Sequence, residues 1–164
     1  MLQVMQRFGW AGLWGIVGVL ALLGQAIARL APHAFALRQQ TLGALEWLVL
    51  VGWLAFNGYA EGYRAFHRGF SPRVVERARA LRSDRRVLHR VLAPLYCMCL
   101  FAAPRRRLIV AWSVTIGVVG IVILVRRLAQ PWRGIIDAGV VVGLAWGVGS
   151  VVYYALRGRA THVA

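Results

Sequence analysis

From Pro131 to Tyr154 the chain reads PWRGIIDAGVVVGLAWGVGSVVYY, and Gly139, Gly143 and Gly147 recur every four residues along it. Residues 134–156 form a helix of roughly 34 Å at 1.5 Å per residue, enough to cross a hydrocarbon core of about 30 Å. Glycines four apart share one helix face, where their missing side chains let a neighbour approach closely. This last stretch therefore reads as a membrane-spanning helix with a packing seam. The seam's expected partners are the third span, with Gly117 and Gly120, or the glycine-rich first one.

A soluble globular fold does not suit the rest of the chain. It has 164 residues, 60% of them hydrophobic, with mean hydropathy +0.63, more apolar surface than one small core can hide. The net charge of +15 comes from 20 basic residues against Glu46, Glu61, Glu76, Asp84 and Asp137. Every basic residue is Arg, a bias that a GC-rich bacterial genome produces and that also suits bidentate contacts to lipid phosphates. Because this charge flanks apolar spans, it points to anionic lipid headgroups and not to nucleic acid. Cys97 and Cys99 are the only cysteines. Two residues apart, they make no relaxed disulfide and read as free thiols.

The expected architecture is all-α: a polytopic integral membrane protein forming a single domain over residues 1–164. Its four spans cover residues 8–28, 42–60, 108–125 and 134–156. The first run is longer than a signal-peptide core, although Ala26-Ile27-Ala28 resembles a cleavage site, so it reads as a retained helix. Its Gly9, Gly12, Gly15 and Gly18 step by three and drift around the helix, specifying a seam less well than the last span does. Thr41 is the expected N-cap of the second span, Gly69 the end of its extension, and Ser71-Pro72 the start of a new helix.

Between the second and third spans lie two further segments. Residues 64–90 are basic and amphipathic, with Val74, Ala78, Leu81, Leu88 and Leu92 at helical spacing. They suit a helix on the membrane surface or one docked on the rest of the protein. Residues 91–104 are apolar but bracketed by arginines, too short to cross, and read as interfacial or re-entrant. Arg7, the arginines from Arg64 to Arg107, Arg157 and Arg159 put fifteen on one side, against five at Arg29, Arg38, Arg126, Arg127 and Arg133. The positive-inside rule then makes both termini cytoplasmic and the location a bacterial inner membrane.

Few residues suggest chemistry. Glu46 and Asp137 are acids within or at the edge of spans, where helix-end stabilisation is the first explanation and an ion or proton path the second; Glu46 is the better path candidate, because no Arg lies within one turn of it, whereas Arg133 stands four residues before Asp137. Asn57, Glu61, Arg64 and Arg68 form a polar stripe at the expected inner end of the second span. With Arg105, Arg106 and Arg107 they are candidate contacts for a partner or a lipid headgroup. His33, His67, His89 and His162 lie outside the spans, which disfavours a haem held between helices. His89 with Cys97 and Cys99 has no recognised metal spacing. No catalytic or cofactor motif is present, so no catalytic residue, metal or cofactor is assigned.

Three functions suit these features. The first is a non-catalytic subunit or assembly factor of a membrane protein complex, packing through small-residue faces against other membrane subunits or itself. The second is a small homo-oligomeric channel or transporter. The third is a membrane enzyme acting on lipid or quinone.

Overall fold

The computed structural model describes residues 2–84 and 86–157; Arg85 and the tail with Arg159 and His162 lie outside the described residues. It is all-helical, with no strand among the described residues. Helix α1 (Leu2–Phe35) leads through a short 3-10 turn (Ala36–Gln39) to α2 (Ala44–Asn57), which continues as a π-helix (Gly58–Phe70) and then as α3 (Ser71–Ala80). The short helices α4 (Val87–Val91) and α5 (Ala93–Cys97) precede α6 (Arg105–Val125) and α7 (Trp132–Arg157). Three helices, Arg7–Gln39, Arg105–Val125 and Trp132–Arg157, are long and apolar enough to cross a membrane.

Helices α1 and α7 pack as the central antiparallel pair: His33 approaches Asp137 at one end, and Phe8 clusters with Val151 and Ala155 at the other. The second helix runs parallel to α7. Leu50 packs with Ile135, Trp53 reaches Ile136, and His67 reaches Ser150. Helix α6 stands apart, with only 6% of its most apolar stretch buried.

Several local expectations change. The second helix starts after Gly43, whose N–H donates to Glu46 Oε2 at 2.7 Å, so Glu46 and not Thr41 satisfies its first turn. Gly69 does not end the helix, because the Ser71 N–H still reaches five residues back to the Phe66 carbonyl. Ser71 has helical dihedrals and a buried hydroxyl without a partner, so it caps nothing. The amphipathic region 64–90 is not one helix. Its first residues belong to the π-helix, and α3 turns Val74, Val75, Ala78 and Leu81 into the core against α1 and α7. The stripe breaks at the 81–83 turn, leaving Leu88 and Leu92 exposed.

The three-residue glycine series of α1 forms a seam after all. A side chain at Gly12 would meet the Ala78 backbone of α3, at Gly15 the Cys97 Sγ at 2.8 Å, and at Gly18 the Pro94 ring at 2.8 Å. Each three-residue step falls about 60° short of a full turn. Over this short run the drift passes the seam from α3 to α5. At Gly9 itself φ is 63° and ψ 175°, and α1 kinks there. Such a φ is in the region that glycine adopts without steric cost.

Candidate functional site

The best-defined site is the seam between the π-helix and α7. Its residues on the second helix, Trp53, Asn57, Gly62, Phe66 and Phe70, are four or five apart. In an α-helix that spacing would wind away from a straight neighbour, whereas the wider i→i+5 turn keeps it facing α7. Long π stretches are rare and π geometry is frequent at functional sites.

The glycines of α7 act here as notches for side chains. Gly139 faces the Trp53 indole and the Asn57 Nδ2, Gly143 faces the Glu61 carboxylate at 2.8 Å from an ideal Cβ, and Gly147 faces the Phe66 ring at 2.7 Å. Gly62 returns the arrangement, receiving Trp146 at 2.9 Å. Gly117 and Gly120 have nothing within 4 Å, so α6 is not the partner of this stripe.

Polar groups follow one another down the seam. Trp53 Nε1 donates to the Ile136 carbonyl at 3.3 Å, and the fully buried Asn57 donates Nδ2 to the Trp53 carbonyl at 2.9 Å. Glu61 then lies beside Gly143, near the middle of α7, and makes no ion pair among the described residues. Towards the C-terminal end of α7, His67 shares a 3.3 Å hydrogen bond with Ser150, lies 3.5 Å from the Tyr154 hydroxyl and stacks on Tyr63. Arg68 covers Tyr63, and Arg157 covers Tyr153 and donates to its hydroxyl.

Ser150 and His67 suggest a nucleophile and its base, but the geometry does not support acyl transfer. Ser150 is inside α7, whose N–H groups are engaged in the helix, so no pair of backbone donors is left to stabilise an oxyanion.

The other sequence candidates are dispersed. Asp137 is buried near the opposite end of α7, 3.7 Å from His33 Nδ1 and 3.8 Å from Arg133 Nε, with its Oδ2 lacking a hydrogen bond. Glu46 sits at the exposed start of α2. Of the polar stripe, Asn57 and Glu61 face α7, while Arg64 and Arg68 are exposed. Arg105, Arg106 and Arg107 are exposed on α6, which makes no extensive contact with the other helices among the described residues.

No three of the described His, Cys, Asp and Glu side chains converge as metal ligands. His89 is tied to Asp84 at 2.5 Å, and burial pushes the Cys97 thiol up to about 12, away from the thiolate that binds metals. The His89 hydrogen bond and the Arg86 N–H hold the Asp84 carboxyl below the usual carboxylate range.

His67, Ser150 and the tyrosines around them were not legible as one cluster. The available signal was the four-residue spacing of Tyr59, Tyr63 and His67, continued across the seam by Ser150 and Tyr154. Fold and site together define an all-helical bundle with three helices able to cross a membrane and a polar interhelical seam. No protein-family model, curated protein or solved structure matches the chain.

Proposed function

We propose that the chain is a non-catalytic, four-span subunit or assembly factor of a membrane protein complex in the bacterial inner membrane, and that α6 is the helix it presents to other membrane subunits. The carrying observation is that α6 stands outside the bundle while α1, α2 and α7 interlock. Lipid solvates an apolar helix well, so association there depends on close approach at small residues. Ser113, Gly117 and Gly120 supply that surface on α6, with open space beside both glycines. The fourth crossing is the second helix, which accompanies α7 from Ile135 to Ser150. Arginine asymmetry supports cytoplasmic termini.

The test is purification in mild detergent followed by identification of co-purifying proteins. Heterologous membrane subunits are expected with the parent chain, and at least a tenfold loss of them with Gly117→Leu/Gly120→Leu at unchanged melting temperature. A monomeric parent, or a complex indifferent to both leucines, defeats the proposal.

A second reading, a small channel or transporter, draws on Glu61. An ionisable side chain well inside a membrane bundle is a functional candidate by default, and this one has no ionic partner among the described residues. In liposomes, Glu61→Gln should then abolish pH-driven flux. Absence of flux in the parent removes this reading.

A further inference from the structure

A separate cavity of about 480 Å³ opens beside the kink of α1, lined by Phe8, Gly9, Trp10, Trp14, Arg82 and Arg90 among others. Phe8 and Leu81 belong to the same cluster as Val151 and Ala155, so the cavity lies level with the C-terminal end of α7, where a spanning helix leaves the hydrocarbon. Among the described residues, its ionisable lining groups are the two arginines. Arg90 Nε donates to the Asp84 carbonyl at 2.9 Å, and the Asp84 carboxylate is engaged by the His89 ring and the Arg86 N–H.

The rim is apolar. Trp10 is 79% exposed, and Trp14 is held as a wall by its Nε1 bond to the Val91 carbonyl at 3.2 Å. Indole rings favour the headgroup level of a bilayer. Val87, Leu88 and Val91 of α4 are each more than 60% exposed, an apolar surface on the short helix that carries Arg90. From the cavity, Trp10, Trp14, Val17 and Ala21 continue along α1 as an exposed face at spacings of four, three and four. A basic pocket bordered by tryptophans and opening onto an apolar helix face combines the two chemistries of a phospholipid.

We propose that this cavity binds one anionic phospholipid, its phosphate held by Arg82 and Arg90 beside Trp10 and Trp14 and an acyl chain lying along Trp14, Val17 and Ala21 of α1. Guanidinium groups meet phosphate oxygens bidentately, and this complementarity separates the cavity from the apolar groove beside His67. The site does not depend on the subunit reading, because it uses neither α6 nor a protein partner.

The full chain, purified and delipidated in mild detergent, is titrated with phosphatidylglycerol or with phosphatidylcholine of the same acyl chains, and bound lipids are counted by native mass spectrometry. One phosphatidylglycerol per chain is expected to bind about tenfold more tightly than phosphatidylcholine. Arg82→Gln/Arg90→Gln should remove that preference, whereas Arg105→Gln/Arg106→Gln, with the same loss of charge, should retain it. If the first double variant melts early, Trp10→Ala is read instead, because its side chain is largely exposed; it should weaken binding several-fold with the fold intact. Equal binding of the two lipids, equal losses in both arginine pairs, or no effect of Trp10→Ala overturns the proposal. So does displacement by millimolar inorganic phosphate, which would assign the cavity to a soluble phosphate compound.

Discussion

Gly143 is where residue identity most constrains the seam. An ideal Cβ there would lie 2.8 Å from Glu61 Oε2 and 3.1 Å from Glu61 Cβ. The carboxylate can swing aside, but the Cβ is fixed to the helix, so Gly143→Ala must separate the second helix from α7 by a few tenths of an ångström. Overpacking of this kind costs about 1–3 kcal/mol. Gly120→Ala, with nothing within 4 Å, should be neutral or slightly stabilising in its helix. Thermal unfolding in one detergent compares the two, and equal melting temperatures would contradict the notch geometry. Asp84 supplies a prediction outside the membrane. Its carboxyl is held below the unfolded value of about 3.9, so its contribution is complete above that pH and fades as pH falls through it towards the lower folded value. Hydrogen-exchange protection over residues 84–92, relative to the intrinsic rate at each pH, should therefore fall below about pH 4, and Asp84→Asn should already be weakly protected at neutral pH and lose that dependence.

At the scale of elements, small residues determine which helices approach closely. Helix α5 rests on α1 through Gly15 and Gly18, with Cys97 99% buried beneath it. Gly18→Ala meets the Pro94 ring, which has no rotamer to yield, so α5 should lift and Cys97 should react with a membrane-permeant maleimide at least tenfold faster. Gly24→Ala, facing open space, should leave that rate unchanged. The three helices long and apolar enough to cross a membrane were legible because hydropathy reports what a bilayer requires of a crossing segment. The glycine stripe on α7 was legible as a seam, but its partner was not. Asn57, Gly62, Phe66 and Phe70 match no 3.6-residue period, and the π geometry that aligns them emerges only against α7. Periodicity likewise located the apolar stripe of α3, but an amphipathic pattern is the same whether it faces lipid or protein. Here Val74, Val75 and Ala78 face protein.

For the whole molecule, the bilayer is part of the fold. Large apolar side chains such as Leu48, Ile116 and Leu124 remain more than 60% exposed, and the main buried cluster joins α1, the second helix, α3, α5 and α7. Hydrocarbon solvates that outer surface, so helix registry depends on notches and polar contacts more than on burial of oil. The second helix runs beside α7 in the same direction, with Leu50 near Ile135 and His67 near Ser150, which supports the proposal that it is a fourth crossing. The loops at Gln40 and Ala129 then share one face, and the 81–83 turn lies on the other. On the four-span arrangement we propose, fifteen of the twenty arginines in the sequence are assigned to the side of that turn, and the positive-inside rule predicts that this side is cytoplasmic. Single cysteines placed at Gln40, Ser83 and Ala129, all exposed, test this in a background with Cys97 and Cys99 replaced by serine. An impermeant maleimide added to intact cells should label positions 40 and 129 alike and reach 83 only after lysis. If 91–104 crossed as a fifth span, positions 40 and 129 would fall on opposite sides, and labelling of only one of them would reject the four-span arrangement.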